Sequence, residues 1–283
     1  MKIKIIYLLG AGRSGTTLMG TILNDHPKIL TIGEMHQFLN HLIDKEECSC
    51  GKKLSNCEFW KSIINDINFN GVDIKSIQKE SNSKESHKNI LFLMFKSKPD
   101  LVYLKFQEHI FNVIYKQQEG QFLLDSSKYI ARYLLLKKSS KLDIKAIYIV
   151  RDIRGVINSF GKQVQTPKGP ISTIIYYMLI NFIAQIICAF DKNIIKVKYE
   201  DFVNLTSKEL NRIYSHVFEN EEKVELIPET FKMPHIIGGN RMKKNQEITI
   251  ESDEKWKSLI PRSKQIFYYF MAAPIMMINR YKI

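Results

Sequence analysis

The sequence predicts an α/β fold with a central parallel sheet and helices on both faces. Short runs rich in isoleucine and valine alternate with longer segments of helical pattern, as in successive βα units. A glycine-rich segment, GAGRSGTTLM, directly follows the first apolar run, where such a fold makes a tight turn from strand to helix. The 283 residues are 45% hydrophobic, which suffices for one large core, so we expect a single domain over residues 1–283.

The apolar runs place four strands, and much of the chain between them has a helical pattern. The strands are expected at residues 3–9, 121–124, 146–150 and 194–197. After the first βα unit, residues 40–119 are predicted to form a largely helical insertion or lid. Residues 171–190 carry no charge and are long enough to cross a bilayer. Because motifs on both sides of this segment must meet at one site, we predict a buried core helix and no transmembrane span.

The charge of the chain favours an anionic partner. Lys and Arg number 42 against 29 Asp and Glu, a formal net charge of +13. A nucleotide, an acidic polymer or an anionic membrane surface would each fit this charge. The lysines are dispersed, so we do not expect nucleic acid as a partner, whereas the apolar stretch 272–278 leaves peripheral membrane contact open. The first apolar run leads into glycines without a cleavage signal, which predicts a cytoplasmic location. The sequence does not indicate an oligomeric state.

Three of the four cysteines are clustered, at Cys48, Cys50 and Cys57 in CSCGKKLSNCEFW. Without an export signal we expect no disulfide framework. A zinc site would need a fourth ligand, for which His36 or His41 is available, but the CxC spacing fits such a site poorly. We therefore expect a thiol-bearing loop held by its aromatic neighbours, and no bound metal.

The glycine-rich segment has the composition of an anion-binding loop. Its glycines permit a tight turn and let backbone N–H groups approach an anion, and the following helix directs its positive end at the same place. A triphosphate-binding loop carries lysine at the position of Thr16, so the fixed cation here is Arg13 instead. We predict a P-loop-like anion site that lacks the lysine needed to bind the γ-phosphate of ATP. Its candidate residues are Gly12, Arg13, Ser14, Gly15, Thr16 and Thr17.

Further candidate residues follow later strands. The segment LLDSSK ends in Lys128, and IYIVRDIRGVINSF has Arg151 at a strand end and Ser159 eight residues later on the next helix. Arginine offers a planar fork to a phosphate group and serine a hydroxyl donor. Because ligands of open α/β folds bind at the carboxyl ends of the strands, we expect these side chains at one edge of the sheet. Arg241 lies in the irregular segment HIIGGNRMKK.

The chain resembles the sulfotransferases that use 3′-phosphoadenosine 5′-phosphosulfate (PAPS). Five segments carry the resemblance, in this order: RSGTTLM, LLDSSK, IYIVRDIRGVINSF, VKYEDF and HIIGGNRMKK. The first segment is most similar to bacterial sulfotransferase-family proteins and tyrosylprotein sulfotransferases. The resemblance covers residues 3–257 and implies a P-loop-like fold. It also implies transfer of a sulfuryl group from PAPS to an acceptor hydroxyl or amine, with PAPS as co-substrate and no metal.

The resemblance also implies roles for single residues. It implies that Glu34 is the catalytic base and that Lys128 reaches the transferring group. From its position in the sequence, His36 is a rival for the role of base. The glycine-rich loop with Arg13 binds the 5′-phosphosulfate. The 3′-phosphate is held by Arg151 and Ser159, together with Arg241 or, alternatively, Lys243. The VKYEDF segment is structural. The acceptor can be a sugar, lipid, peptide or small molecule, and no motif selects among these.

One alternative enzyme class is a P-loop kinase of small molecules. Such a kinase needs a lysine at position 16 and an aspartate at a strand end to bind magnesium. Position 16 is a threonine, whereas Asp125 in LLDSSK can imitate the aspartate.

Overall fold

The computed structural model describes residues 2–69, 71–95, 98, 100–118, 121–162, 167–219, 224 and 226–283. Five strands form a parallel sheet in the order β2-β3-β1-β4-β5, with helices packed against it. They are β1 (Ile3–Leu9), β2 (Ile29–Gly33), β3 (Phe122–Lys128), β4 (Leu142–Val150) and β5 (Ile194–Lys198). The predicted α/β class is confirmed.

The central strands are buried, as the apolar runs predict. Ile5, Ile6, Tyr7 and Leu8 of β1 have no exposed surface, which is typical of a parallel strand covered on both faces. In the pairing of β1 with β3, Tyr7 lies opposite Asp125, and the register then shifts. The shift falls at the carboxyl end of β3, where Lys128 lies.

Strand β2 was not predicted from the sequence. It has only five residues, begins two residues after Pro27 and ends at Gly33, whose φ of 85° ends the extended conformation. So short a run, without alternation of polar and apolar residues, is weak evidence for a strand. Strand β2 pairs with β3 so that Gly33 lies opposite Asp125, and Glu34 follows at the same end of the sheet.

The insertion between β2 and β3 is largely helical, as predicted for residues 40–119, of which residues 70, 96, 97, 99 and 119 lie outside the described part of the chain. The helices of the chain are α1 (Thr16–Leu23), α2 (Phe38–Ile43), α3 (Glu58–Ile67), α4 (Ile74–Lys84), α5 (Ile90–Phe95), α6 (Leu101–Gln117), α7 (Ile130–Leu136), α8 (Ile153–Phe160), α9 (Pro170–Phe190), α10 (Tyr199–Asn204), α11 (Thr206–Phe218), α12 (Trp256–Leu259), α13 (Arg262–Met271) and α14 (Ala273–Ile278). Two short strands, β6 (Thr230–Lys232) and β7 (Glu247–Thr249), pair with each other.

Residue contacts divide the chain into two compact units. The first unit comprises Met1–Leu9, Thr17–Ala146 and Phe231–Ile248, and the second comprises Gly10–Thr16, Ile147–Thr230 and Thr249–Ile283. The single domain expected over residues 1–283 stays a prediction.

The prediction of a buried core helix holds for only one side of α9. One side is buried, as at Tyr177 and Ala184, whereas Ile175, Leu179 and Phe182 are 63%, 54% and 56% exposed. These three residues recur at helical spacing and form one apolar stripe. Because both sides of the helix are apolar, the sequence carries no periodicity that reveals the exposed side. Among the described residues, this is the one helix whose length and composition would suffice to cross a membrane.

Candidate active site

The loop between β1 and α1 depends on glycine at two positions in the second unit. Gly10 has a φ of 143°, and a Cβ atom there would lie 2.3 Å from the carbonyl oxygen of Ile149. Gly15 has a φ of 98°, and a Cβ atom there would lie 2.5 Å from the ring of Tyr199. Any other residue would therefore displace the backbone of this loop.

Arg13 and Ser159, proposed from distant motifs, are in contact. The Nε atom of Arg13 donates a hydrogen bond to Ser159 Oγ at 3.0 Å. Arg13 has a φ of 71°, a conformation that costs a non-glycine residue about 1–3 kcal/mol and persists only where the surroundings enforce it. Beside it, the backbone N–H of Gly12 donates to the hydroxyl of Tyr176 at 2.9 Å.

Ser14 carries a buried hydroxyl whose hydrogen-bonding capacity is not used. Its side chain has no exposed surface, and its Oγ atom has no hydrogen-bond partner among the described residues. Leaving a buried polar group unpaired costs about 1–3 kcal/mol, so proteins seldom keep one without a reason. Because this side chain has no exposed surface, a ligand oxygen reaches the hydroxyl only if binding rearranges the loop.

Arg151 joins this group from the carboxyl end of β4. Its Nη1 atom donates to the backbone oxygen of Arg13 at 3.2 Å. Its Nη2 atom donates to the Oδ2 atom and to the backbone oxygen of Asp253, each at 3.1 Å. The guanidinium also lies over the ring of Tyr199, 4.2 Å from the centroid. The side chain is thus held in place from several directions.

Asp253 and Gly155 shape the surroundings of Arg151, and sequence analysis identified neither. Burial alone would raise the pKa of Asp253, but the charges of Arg151 and Lys162 lower it overall, so the carboxylate is ionised at neutral pH. A Cβ atom at Gly155 would lie 2.9 Å from Arg151 Nε, so glycine is what admits the guanidinium against α8. A glycine within a predicted helix was the available sequence signal for this close approach.

In the first unit, Glu34 and Lys128 form a buried ion pair. Lys128 Nζ contacts Glu34 Oε1, and the two side chains are 14% and 8% exposed. Gln37 Nε2 donates to the other carboxylate oxygen of Glu34 at 2.8 Å. Lys128 has a φ of 70°, which is rare for lysine, and such backbone strain is found most often at functional sites.

His36, the rival base, lies two residues from Glu34. Its ring packs on Tyr129 with centroids 4.2 Å apart, and its buried Nδ1 atom has no hydrogen-bond partner among the described residues. Burial, followed by the positive charge of Lys128, lowers the pKa of His36 well below its ordinary value. The imidazole is therefore neutral at neutral pH and has the lone pair that a base requires.

Asp125 belongs to a buried network and is not available to a magnesium ion. Its Oδ2 atom pairs with Arg132 Nε at 3.1 Å, and its Oδ1 atom accepts from the backbone N–H of Ser127 at 2.9 Å. Arg132 also pairs with Glu85 at 2.7 Å, and both side chains are almost completely buried. This arrangement removes the residue on which the kinase alternative depended.

The segment 234–245, here called the late loop, passes Glu34 and the start of α1. The N–H of Glu34 donates to the carbonyl of Ile237 at 2.7 Å, and a Cβ atom at Gly238 would lie 2.8 Å from that of Glu34. The N–H of Asn240 donates to Thr17 Oγ1 at 3.4 Å. Arg241, next along the chain, is exposed and begins a single 3₁₀ turn.

The described structure thus brings the predicted residues together in two groups. Arg13, Arg151 and Ser159 are joined by hydrogen bonds in the second unit, and Glu34 contacts Lys128 in the first. A cavity of about 630 Å³ in the second unit contains none of these residues, although Asp253, the partner of Arg151, contributes to its wall.

The parallel sheet and the loop with arginine instead of lysine define an α/β protein of the P-loop-like class. Residues 6–219 match the sequence model of the sulfotransferase family. The chain therefore belongs to the sulfotransferase family and is a transferase. The family inferred from the sequence motifs is confirmed. No curated protein matches the sequence significantly.

Solved structures of sulfotransferases have the same fold. The sulfotransferase domain from the curacin biosynthetic pathway is similar over 99% of both chains, with a TM-score of 0.60 and 17% identity. The match with the sulfotransferase domain of the Synechococcus PCC 7002 olefin synthase covers 100% of this chain and 97% of that domain, with a TM-score of 0.59 and 18% identity. The match with sulfotransferase STF9 from Mycobacterium avium covers 100% of this chain and 78% of STF9, with a TM-score of 0.53 and 10% identity. At these identities the likeness concerns the fold.

Proposed function

We propose that this chain transfers a sulfuryl group from PAPS to a hydroxyl or amine of an acceptor molecule. The observation that carries the proposal is the contact of Arg13 with both Ser159 and Arg151, beside a loop with an unsatisfied hydroxyl at Ser14. Two guanidinium groups and several hydroxyl and amide donors suit a ligand with more than one anionic group. PAPS carries a phosphosulfate at one end and a phosphate on its ribose.

We assign the binding of the donor to two sets of residues. The amides and hydroxyls of Gly12 to Thr17, with the positive end of α1 and Arg13, bind the 5′-phosphosulfate. Arg151 and Ser159 bind the 3′-phosphate, assisted by the exposed Arg241. A phosphate at Arg151 replaces the carboxylate of Asp253 as the partner of its Nη2 atom. This requirement for a 3′-phosphate distinguishes PAPS from ATP.

The transfer itself needs a proton acceptor and a partner for developing negative charge. A bond forms between the acceptor oxygen or nitrogen and sulfur, while the bond from sulfur to the bridging oxygen of the 5′-phosphate breaks. Glu34 takes the acceptor proton, and Lys128 stabilises the charge that grows on the bridging oxygen. His36, neutral and two residues away, is the second candidate for the base.

Ligand-dependent stabilisation tests the donor, and labelled transfer tests the chemistry. Adenosine 3′,5′-bisphosphate at about 100 times its Kd is expected to raise the free energy of unfolding of this protein by about 2.7 kcal/mol. ATP with magnesium is expected to raise it little. Transfer of labelled sulfate from PAPS to an acceptor library, followed by mass spectrometry, identifies the acceptor class. Equal stabilisation by both nucleotides would argue against the proposal.

Glu34→Gln separates binding from chemistry. Loss of a general base lowers turnover by roughly 100-fold to 10,000-fold, and the melting shift caused by the bisphosphate is expected to persist. If the variant transfers sulfate at the wild-type rate, His36 becomes the base to test, by His36→Asn. Neither experiment depends on the predicted cytoplasmic location.

A further inference from the structure

Three thiols and one imidazole converge in the first unit, and none of them belongs to the residues assigned to catalysis. The ligand atoms of Cys48, Cys50, Cys57 and His235 all lie within 4.8 Å of one another. His235 Nδ1 is 3.3 Å from Cys57 Sγ and 3.7 Å from Cys48 Sγ. His235 comes from the late loop, 178 residues along the chain from Cys57, so sequence spacing gave no reason to place it here.

The two S···N distances match the edges of a tetrahedral zinc site. With Zn–S bonds of about 2.3 Å and Zn–N bonds of about 2.0–2.1 Å, a tetrahedron has S···N edges of about 3.5 Å and S···S edges of about 3.8 Å. The two measured S···N distances lie on either side of the expected value. We propose that Cys48, Cys50, Cys57 and His235 bind one structural zinc ion. Three sulfurs and one nitrogen complete the tetrahedron and leave no position for a substrate.

The loop that carries two of the thiols is ordered by its own backbone. The N–H of Cys48 donates to the carbonyl of Lys52 at 2.9 Å, and the N–H of Gly51 donates to the carbonyl of Cys48 at 2.9 Å. Gly51 has a φ of 80°, which closes the turn after Cys50. Glu47 and Lys53 form an antiparallel bridge at its base. These backbone contacts therefore hold Cys48 and Cys50 in place within one short turn.

Aromatic residues fix the orientation of the histidine. Trp60 Nε1 donates to the backbone oxygen of His235 at 3.0 Å, and the ring of Phe59 stacks on the imidazole at 17° with centroids 5.8 Å apart. Outer contacts of this kind hold ligands in the geometry that a metal requires. The sequence favoured a loop held by its aromatic neighbours without a metal; in the structure those aromatic residues hold His235 with its Nδ1 atom beside the sulfurs.

A disulfide explains the cluster less well than zinc does. It would use two thiols and leave the third, together with the imidazole nitrogen, without a role. His36 and His41, considered from the sequence as fourth ligands, are engaged elsewhere: His41 Nε2 accepts from the N–H of Gly238 at 3.2 Å, and His36 packs on Tyr129. The ligand that the CxC spacing lacked is thus His235.

The ion would tie the cysteine loop to the late loop. Two residues after His235, Ile237 accepts the N–H of Glu34, and Gly238 packs against the Glu34 side chain. Zinc would therefore anchor the segment that supports Glu34. The assignment of the metal does not depend on the proposed sulfate donor, because its tests measure metal content and stability.

Metal analysis of the full chain, purified without a polyhistidine tag or chelator, tests the proposal. We expect about one zinc per chain, falling at least tenfold in Cys57→Ser and His235→Ala. Cys188→Ser, a thiol on α9 outside the cluster, is the matched control and keeps the metal. His235→Cys should restore binding, and with cobalt in place of zinc its thiolate charge-transfer absorption should exceed that of the wild type by about one third, as four thiolates replace three.

Two results would overturn the proposal. One is wild-type protein, grown with added zinc, that contains less than about one tenth of an equivalent and has the same melting temperature with and without a strong chelator. The other is a disulfide among these cysteines in freshly purified, fully folded protein. Both are measured on the wild type, so they decide the matter even if a variant fails to fold.

Discussion

Arg13 Nε donates a hydrogen bond to Ser159 Oγ at 3.0 Å, although 146 residues separate the two in the chain. The contact joins the loop after the first strand to helix α8, and Arg151 donates to the carbonyl of the same Arg13. Two motifs proposed for opposite ends of the donor nucleotide are therefore physically linked, and binding at one is expected to influence the other.

Ser159→Ala tests this link. The variant removes one hydrogen bond to a charged donor, so the free energy of unfolding should fall by about 1.5–3 kcal/mol at most, and bisphosphate affinity should fall as well. Urea denaturation and calorimetric titration measure the two effects. Ser172→Ala removes an exposed hydroxyl of α9 that bonds only its own helix start, and serves as control. Unchanged affinity in Ser159→Ala would remove this serine from the nucleotide site.

Ser14→Ala is expected to affect the ligand-free and ligand-bound states differently. The buried Ser14 hydroxyl lacks a partner among the described residues, so its removal should leave the ligand-free protein as stable as before, or more stable by about 1 kcal/mol. Affinity for adenosine 3′,5′-bisphosphate should fall several-fold. The two quantities come from chemical denaturation and titration calorimetry. A clear loss of stability without ligand would show that the hydroxyl has a structural partner.

Asp253→Asn should strengthen nucleotide binding. The Asp253 carboxylate lies 3.1 Å from Arg151 Nη2 and competes with an incoming phosphate, whereas the backbone oxygen that also accepts from Arg151 is retained in the variant. We expect a several-fold lower Kd for the bisphosphate. Glu254→Gln makes the same charge change at the next residue, which pairs with Lys257, and controls for long-range electrostatics. A weaker complex in Asp253→Asn would mean that the carboxylate orders the site rather than occupying it.

The lowered pKa of His36 leads us to expect that the stability of the protein depends on pH. Burial and then Lys128 lower its pKa below the ordinary 6.5, so the unfolded chain takes up a proton near that pH while the folded protein does not. Stability therefore falls as pH drops below about 6.5, by at most about 1.4 kcal/mol per pH unit for this group. Urea denaturation between pH 7.5 and 5 should give a flatter profile for His36→Asn. His41, whose pKa is also lowered, retains part of the slope. Identical slopes would exclude this contribution of His36.

The sequence was sufficient where the signal is local. The apolar runs located four of the five strands of the central sheet, because a strand buried on both faces is apolar almost throughout. Strand β4 begins at Leu142 rather than at residue 146, because Asp143 and Lys145 are not fully buried and interrupt the apolar run. The glycine loop was predicted from residue types that its backbone geometry requires at Gly10 and Gly15.

Contacts between distant segments could not be predicted from the sequence. Asp253 reaches Arg151 across 102 residues, and no periodic pattern links the two. His235 meets the cysteines, and the late loop that carries it pairs at Ile237 with Gly33 of β2, the strand of the central sheet that was not predicted. A single sequence shows which residues can perform a chemistry, whereas the fold determines which of them meet.

The most direct test of the central claim is calorimetric titration of the wild type and Arg151→Ala with adenosine 3′,5′-bisphosphate and with adenosine 5′-monophosphate. The two ligands differ in the 3′-phosphate, so the four affinities measure its coupling to Arg151. We expect Arg151→Ala to lose about 1.5–3 kcal/mol of binding free energy for the bisphosphate and little for the monophosphate. Equal losses for both ligands, or none for either, would contradict the central claim.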